Sequence, residues 1–427
     1  MRLTVHAAAA LLLAVVVGTA FSEEPVSKEP EGETGIASKY VGDVGIENDA
    51  DVIFVEQFEG TVDEICRRWE TVSGKMLMSN SGDVPPGSAG RRSLLITRVP
   101  GNREYAGGGQ LYRRIKNENG GYGFDKVYLR MYMKFNEGHA GIHHYGTCLG
   151  GYHPSTKWPM VKAGQPTKGN QSFWSGVEPY GSWNWMFYTY WHKMRGSPPR
   201  GQTWGNSFQH GCPKLPIPKE KWICIESMLK VNDVGDTNGE QAFWVNGKLN
   251  RKDGVVVSHQ GKGFPTGTWI FDKFHPFRTG QGVRCERGGA RTNIEGGKPF
   301  EGYEWRTVKE LNVNYIWLYR YMSKPETGKS QVWWDHVVAA RKYIGPIATK
   351  KAARRPEPGK EADPAQTAAA EKENVDLAKA AKLYRSGRNA ERSGMKALAK
   401  RLFERVVEEY PGTELAEQAK KRLGRLK

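Results

Sequence analysis

The stretch from Trp174 to Arg195 reads WSGVEPYGSWNWMFYTYWHKMR and organises the interpretation of the whole chain. It predicts a hairpin of two β-strands. Side chains alternate across a strand, so one face of the second strand carries Tyr188, Tyr190 and His192. Hydroxyl groups and an imidazole in a row, close in sequence to Trp174 and Trp185, favour a wet, aromatic-lined groove of the kind that binds sugars. The alternative is an aromatic sheet core whose hydroxyl groups are bonded at its edge.

The beginning of the 427-residue chain has the pattern of a secretory signal peptide over residues 1–20. Arg2 precedes the apolar run AAAALLLAVVV, and small residues follow at Gly18 and Ala20. No later stretch contains the roughly 18 apolar residues that a spanning helix needs, so we expect no membrane span and a secreted or periplasmic location. The alternative is an uncleaved membrane anchor.

Five cysteines in an exported chain suggest up to two disulfides and one remaining thiol. They are Cys66, Cys148, Cys212, Cys224 and Cys285. None has the C-x-x-C spacing typical of zinc sites, so we expect no metal and no cofactor. The pairing is left open.

The formal net charge of +17 is unevenly distributed. Residues 348–427 contain 20 basic and 12 acidic residues, a net +8, which leaves +9 spread over the much longer remainder. This diffuse charge argues against nucleic acid as the partner. A basic, aromatic-rich, exported body is better matched to an acidic polysaccharide.

Short β-like runs separated by Gly, Pro, Asn and Asp dominate residues 51–347, after a polar segment over residues 21–50 that is typical of a linker. In KVYLRMYMKF (residues 126–135), apolar and polar side chains alternate, which predicts a half-buried strand. Asn246-Gly247 predicts a tight hairpin turn. Many such strands and almost no helical periodicity predict a mainly β protein with an antiparallel β-sandwich of the concanavalin-like jelly-roll kind.

The composition changes after Pro346. Residues 348–370 are a charged linker rich in Ala and Pro, and residues 371–427 contain three helical patterns, over Val375–Arg385, Met395–Tyr410 and Thr413–Leu426. VVEEYPGTELAEQAKKRL resembles the turn between tetratricopeptide repeats. A unit this small buries little surface alone, so we expect it to pack on the sandwich or on a protein partner.

Two motifs carry a family resemblance. The run His144-Tyr145-Gly146-Thr147-Cys148-Leu149-Gly150-Gly151 resembles the Lys-Leu-Pro-Gly-Leu-x-Gly-Gly stretch of the family-fourteen polysaccharide lyases, which include alginate and glucuronan lyases. Tyr188-Thr189-Tyr190 is similar to the Tyr-x-Tyr strand of that family. The segments NGEQAFWVNGKL and VWWDHVVAARKYIGP look like the last strands of concanavalin-like lyase and glucanase domains. The resemblance covers residues 51–347 and implies a jelly roll that cleaves uronate polymers.

The resemblance also implies roles for individual residues. β-Elimination needs a base for the C5 proton, an acid for the departing O4 and a group that neutralises the uronate carboxylate. Tyr188 and Tyr190 take the positions of base and acid, and His144 takes the position of the family lysine. The stretch where the family has a functional arginine contains Glu178 instead, so the charge would have to come from Lys193 or Arg195. The expected substrate-binding residues are His143, Glu178, His192, Lys193, Arg195, Trp174 and Trp185.

Two other functions stay open. A non-catalytic carbohydrate-binding or cell-envelope module could use the same fold. A retaining glycoside hydrolase would need two carboxylates about 5 Å apart, and Glu178 has no obvious same-strand partner.

Overall fold

The computed structural model describes residues 29–99, 108–139, 144–158, 163–180, 183–285, 287–321 and 328–349, together with residues 379–426 apart from 381–382, 385, 389 and 392–393. The strands in this part of the chain are β1 Val52–Glu56, β2 Thr71–Ser73, β3 Met78–Ser81, β4 Ser93–Arg98, β5 Gln110–Arg114, β6 Lys126–Phe135, β7 His144–Tyr152, β8 Ser172–Tyr180, β9 Asn184–Tyr190, β10 Ile223–Lys230, β11 Glu240–Val245, β12 Lys248–Leu249, β13 Arg251–Lys252, β14 Val255–Val256, β15 His259–Gln260, β16 Gly267–Ile270, β17 Lys273–Pro276, β18 Gly282–Cys285, β19 Arg291–Ile294, β20 Tyr315–Tyr321 and β21 Ser330–Ala340. Among the described residues, the α-helices with complete bounds are α1 Val62–Arg68, α2 Lys396–Glu409 and α3 Glu414–Arg425, and residues 379–380, 383–384, 386–388 and 390–391 are also helical. Short 3-10 helices cover Ile36–Lys39, Val41–Asp43, Ile46–Asn48, Lys75–Leu77 and Arg287–Gly289.

Two antiparallel sheets form the body of the protein. The first sheet has the order β12-β11-β10-β6-β21-β4-β3, with β1 paired to β21 and β15 paired to β11. The second sheet has the order β2-β5-β20-β7-β8-β9. Three small hairpins, β13-β14, β16-β17 and β18-β19, lie outside both sheets. The expected mainly β, antiparallel sandwich with a small C-terminal helical segment is therefore confirmed.

The core lies between the facing sides of the two sheets. Strand β6 contributes alternate residues such as Leu129 and Met131, and the second sheet contributes Phe187, whose ring lies 4.9 Å from that of Phe243 on β11. This alternation is what KVYLRMYMKF predicts, because side chains two apart share a face. The apolar side of β6 is thus correctly predicted from the sequence.

The opposite side of β6 is covered as well, which differs from the predicted half-buried strand. Residues 29–49, which were expected to belong to a linker over residues 21–50, form three 3-10 helices and pack on the first sheet. Ile36 and Ile46 are buried there against Tyr128. The polar composition of this segment predicts a linker, although a few apolar residues, such as Ile36 and Ile46, fix the segment to the sheet.

A buried charge cluster joins this N-terminal segment to the first sheet. Asp43 accepts hydrogen bonds from the Arg130 guanidinium, and its Oδ2 lies 2.6 Å from Nδ1 of His336. Nε2 of His336 lies 2.7 Å from Oγ of Ser88. His336 has a positive φ of 49° and lies where the β21–β6 register shifts, so the bulge turns its ring toward Asp43. Burial raises the pKa of Asp43, but Arg130 and His336 outweigh it, so the pKa lies below its usual range.

Several local predictions have clear outcomes. Asn246 and Gly247 have positive φ angles of 50° and 73°, as a type I′ turn requires, and they join β11 to β12. Helices α2 and α3 match the last two helical patterns. The pattern over Val375–Arg385 lies mostly outside the described residues, and its described positions 379–380 and 383–384 are helical. The predicted signal peptide also lies outside them.

Four of the five cysteines carry free thiols, so the expected disulfides are wrong for Cys66, Cys148, Cys212 and Cys224. Cys148 lies on β7 of the second sheet and Cys224 on β10 of the first, and both are buried among core side chains. No helix in the described ranges has the length and apolarity needed to cross a bilayer.

Candidate active site

The outer face of the second sheet, which points away from the first sheet, carries the candidate site. Strand register defines it: Tyr188 on β9 lies opposite Gly176 on β8, and Tyr190 lies opposite Trp174. Paired residues on neighbouring strands point to the same side of a sheet. Glu178 follows two residues after Gly176 and therefore shares this face. The predicted hairpin and the shared face of Tyr188 and Tyr190 are both observed.

Glu178 is fully buried on this face and joins two neighbouring strands. Its Oε1 lies 2.9 Å from Nδ1 of His144 at the start of β7, and its Oε2 accepts a hydrogen bond of 2.9 Å from Oη of Tyr319 on β20. A buried carboxylate is costly unless it is paired and hydrogen-bonded, and these two partners meet that requirement. The pair fixes the orientation of the His144 ring.

The pKa of His144 reflects two opposing effects. Burial lowers it, because removal from water disfavours the charged ring, while the charge of Glu178 and the hydrogen bond to it raise it. The carboxylate outweighs the burial, and the pKa lies above its ordinary value. The imidazole therefore holds a proton to a higher pH than a free histidine does.

The tyrosine pair, Tyr188 and Tyr190, has its two hydroxyl oxygens 3.4 Å apart. The Trp174 ring stacks on Tyr190 at 4.9 Å, with 12° between the planes, and the His144 ring lies 4.8 Å from Tyr188. Burial and the charge of Glu178 raise the pKa of Tyr190 to about 12, against the hydrogen bond to Tyr188, which lowers it. With this raised pKa, the Tyr190 hydroxyl stays protonated near neutral pH.

Two glycines shape the space around these side chains. A Cβ atom on Gly176 would lie 2.3 Å from the hydroxyl oxygen of Tyr319, so only glycine lets that hydroxyl pass over β8 to reach Glu178. Gly205, with a φ of +87°, packs flat on the Tyr188 ring, and a Cβ there would lie 2.4 Å from it. The loop around Gly205 thus covers one side of the tyrosine pair.

The site is less open than the wet groove expected from the sequence. Tyr188 is 8% exposed and Tyr190 is 3% exposed, because Trp174 and the Gly205 loop pack against them. The accessible part lies at the other end, where the His144 side chain is 18% exposed and Tyr321 is 38% exposed. The rings of these two residues stack with centroids 6.0 Å apart. A ligand would meet the imidazole first.

Comparisons with known proteins give a limited result. No protein family and no curated protein matches this sequence. Among solved structures, the PL-14 alginate lyase of Aplysia kurodai is similar at 13% identity and a TM-score of 0.45, over 68% of this chain and 100% of that one. An alginate lyase from Chlorella virus gives 11% identity and 0.43 over 69% and 100%. The endo-β-1,4-glucuronan lyase of Trichoderma reesei gives 13% and 0.36 over 68% and 96%. With TM-scores below 0.5, these likenesses carry no argument about chemistry.

The basic residues expected beside the tyrosines are paired elsewhere. Lys193 forms an ion pair with Glu304, and Nη2 of Arg195 lies 3.5 Å from Oε1 of Glu301. The chain leaves the sheet after Tyr190, so the alternation that groups Tyr188 and Tyr190 does not extend to these residues. The expectation that they supply positive charge to the tyrosines is not met, and the charge acting on Tyr190 is the negative charge of Glu178.

His192 also turns away from the tyrosine pair. Its Nε2 lies 3.6 Å from Oε2 of Glu304, beyond the end of β9. Burial and the nearby Lys193 lower its pKa, against the charge of Glu304. The predicted common face therefore ends at Tyr190.

Of the two tryptophans expected to bind substrate, only Trp174 lies on the outer face. Trp185 has the opposite parity to Tyr188 and is 1% exposed in the core between the sheets. The expectation for Trp185 is wrong because period-two alternation places it with Phe187. His143 lies outside the described residues.

Sequence reasoning missed Tyr319 and Tyr321, which contact the two ends of the His144–Glu178 pair. Both lie on β20, more than 120 residues after β9 in the chain, and strand pairing across β7 brings them in. The alternation of aromatic residues in YIWLYRY was the available signal, since it is the same pattern as in Tyr188-Thr189-Tyr190.

Among the side chains that the structure describes, one group away from this site has the geometry for a metal ion. Ligand atoms of Glu29, Glu240 and His259 lie within 4.8 Å of one another. Lys126 and Tyr128 already bond the Glu29 carboxylate, and Lys230 bonds Glu240 at 2.7 Å. These ammonium groups supply the positive charge that a cation would bring, so the group fits an ion-pair network better than a metal centre.

Proposed function

We propose that this chain is a polysaccharide lyase that binds an acidic, uronate-containing polysaccharide and cleaves it by β-elimination. The observation that carries the proposal is the cluster on the outer face of the second sheet. There, a carboxylate-bound imidazole and two tyrosine hydroxyl groups lie in contact with one another. The expected signal peptide adds a secreted or periplasmic location.

The surroundings of each group suggest its role. With the Nδ1 proton of His144 donated to Glu178, the neutral ring has its lone pair on Nε2 and can accept a proton. A tyrosine with a raised pKa is a poor base but keeps the proton that a general acid needs. We therefore assign His144 as the base and Tyr190 as the acid, instead of the two-tyrosine scheme that the family resemblance implies.

The proposed reaction breaks the C5–H and C4–O4 bonds of the polysaccharide and the O–H bond of Tyr190, and it forms a C4=C5 double bond, an N–H bond on His144 and an O–H bond on the departing O4. His144 takes the C5 proton of the uronate, the C4–O4 bond breaks, and the electron pair of the C5–H bond becomes the C4=C5 double bond. Tyr190 gives its proton to the departing O4. Tyr188, whose oxygen lies 3.4 Å away, donates to the uronate carboxylate and so stabilises the charge that develops there.

A non-catalytic carbohydrate-binding module is the second candidate, and the burial of Tyr188 and Tyr190 favours it. In that case the outer face would bind the glycan without transferring a proton. A lyase releases an unsaturated product and a binding module does not, whereas both bind the polysaccharide, so affinity alone does not distinguish them.

The test uses a panel of alginate, glucuronan and other uronate polymers, followed by the ultraviolet absorbance of the unsaturated product. A lyase produces that absorbance on at least one polymer, whereas binding without product supports the second candidate. Affinity should fall as salt rises, since exposed charges are screened over about 8 to 10 Å at physiological ionic strength. Equal binding to neutral and acidic polymers would contradict the proposed substrate class.

A further inference from the structure

A continuous row of aromatic rings leads away from the tyrosine pair across the outer face of the second sheet. Trp174 stacks on Tyr190, the Trp317 ring lies 6.1 Å from that of Trp174, and the Trp158 ring lies 5.4 Å from that of Trp317. Aromatic rings that stack or pack edge to face at these distances form a stable surface. Trp317 and Trp158 are absent from the site predicted from the sequence.

Strand register shows the direction of this row. Trp317 on β20 lies opposite Cys148 on β7, Cys148 lies opposite Gly176 on β8, and Gly176 lies opposite Tyr188 on β9. These four positions form a line perpendicular to the strands. Three strand spacings separate Trp317 from Tyr188, a distance of roughly 14 Å. Because Cys148 and Gly176 are small, the larger ring of Trp174 can lie over the middle of the line.

The far end of the row is the accessible end. Trp158 is 37% exposed, and Trp317 is partly exposed. The loop that carries Trp158 is held against the sheet by two hydrogen bonds: Oη of Tyr112 donates to the Thr156 carbonyl at 3.0 Å, and Oγ1 of Thr71 donates to the Lys157 carbonyl at 2.7 Å. The Trp158 ring is therefore fixed over β5 and β20, and it loses little freedom when a ligand binds.

We propose that Trp158 and Trp317 form a stacking subsite for pyranose rings of the polysaccharide, remote from the reacting bond. This inference rests on the proposed function for the direction of the bound chain, which runs across the strands from Trp158 toward Tyr188 and His144. The described residues of the row between Trp158 and Tyr188 are aromatic. The ion pair at the Tyr188 end, His144 with Glu178, has no net charge when the imidazole is protonated. The subsite recognises the apolar C–H faces of the sugars. The uronate carboxylates are bound by residues outside this subsite.

The test measures binding of alginate and glucuronan oligosaccharides of increasing length, in a Tyr190→Phe background in which cleavage is slow. The wild-type subsite should make affinity rise with length. Trp158→Ala and Trp317→Ala should each weaken binding of the long oligosaccharides on the order of tenfold, the effect of removing a tryptophan anchor, and leave the shortest ones unchanged. Trp158→Phe, which keeps an aromatic face, should restore most of the loss.

Trp222→Ala is the matched control, because Trp222 is partly exposed near the first sheet and belongs to a different cluster. It should bind every oligosaccharide as the parent does. Affinity that does not rise with length, no binding of any oligosaccharide, or equal losses for Trp158→Ala and Trp158→Phe would each overturn the subsite. If the protein with Tyr190 intact forms unsaturated product but both alanine variants bind normally, the subsite fails and the lyase proposal stands. If no product forms but the two alanine variants lose binding, the subsite stands and the lyase proposal fails.

Discussion

Glu178 lies 2.9 Å from Nδ1 of His144 and is fully buried beneath it. This contact sets both the orientation and the charge of the ring. A carboxylate at this position cannot bind a uronate directly, and its effect on a substrate must pass through the imidazole.

The first prediction concerns pH. If neutral His144 is the base, kcat/KM rises with pH through the raised pKa of this residue. Glu178→Gln removes the negative charge and leaves the burial, so the pKa of His144 falls and the rising limb should move to lower pH. The measurement is a pH profile of product absorbance for both proteins. A profile that falls with pH in the same range would instead assign the protonated ring to carboxylate binding.

The second prediction concerns the acid. Tyr190→Phe removes one oxygen and keeps the ring that stacks on Trp174, so turnover should fall at least about a hundredfold while the melting temperature stays nearly constant. Tyr315→Phe is the control, because Tyr315 is a buried tyrosine of the same sheet that lies outside the catalytic cluster. Full activity in Tyr190→Phe would disprove the assigned acid.

The third prediction concerns Gly176. An alanine there would place its Cβ 2.3 Å from the Tyr319 hydroxyl, which must then move away from Glu178. Overpacking of this kind costs about 1–3 kcal/mol, so the free energy of unfolding should fall by that amount and activity should fall with it. Gly82→Ala is the control, since nothing lies within 4 Å of a Cβ at Gly82. Equal stability of the two variants would show that the close approach is not needed.

The fourth prediction concerns stability. Asp43→Asn leaves the fully buried Arg130 without its carboxylate partner, and breaking a buried ion pair costs about 3–5 kcal/mol. Denaturant unfolding at neutral pH measures the loss. The pKa of Asp43 is lowered in the folded protein, so its stabilising effect is present above the ordinary value of 3.8 and is lost as the pH falls through the lower, folded value.

The control for Asp43 is Glu295→Gln, in an exposed ion pair with Lys298. Exposed pairs contribute little, so its unfolding curve should overlay that of the parent. An Asp43→Asn protein as stable as this control would show that the cluster is not a stabilising contact.

Sequence patterns predicted the parts of this molecule that depend on local periodicity. The alternation in KVYLRMYMKF gave the inward face of β6, and Tyr188-Thr189-Tyr190 correctly placed two hydroxyls on one face. The alternation stops where β9 ends, so it does not hold for His192. Lys193 and Arg195 are close to the tyrosines in sequence only, because both pair with glutamates elsewhere. Alternation also cannot reveal strand order, and only the position of β20 beside β7 brings Tyr319 to Glu178. The hydrogen-bond partners of a buried carboxylate such as Glu178 therefore depend on strand order, which local periodicity does not contain.

Asp43 and His336 are 293 positions apart in the chain, and their contact has a consequence for the order of folding. During synthesis, the aspartate emerges first and Arg130 follows, but the imidazole arrives only with the last strand of the first sheet. Contacts at such sequence separation form slowly, because the loop between them must close first. Residues 29–49, which cover the outside of the first sheet, can therefore dock only when the whole β region has been synthesised. The part of the described chain that is synthesised first is thus among the last to pack.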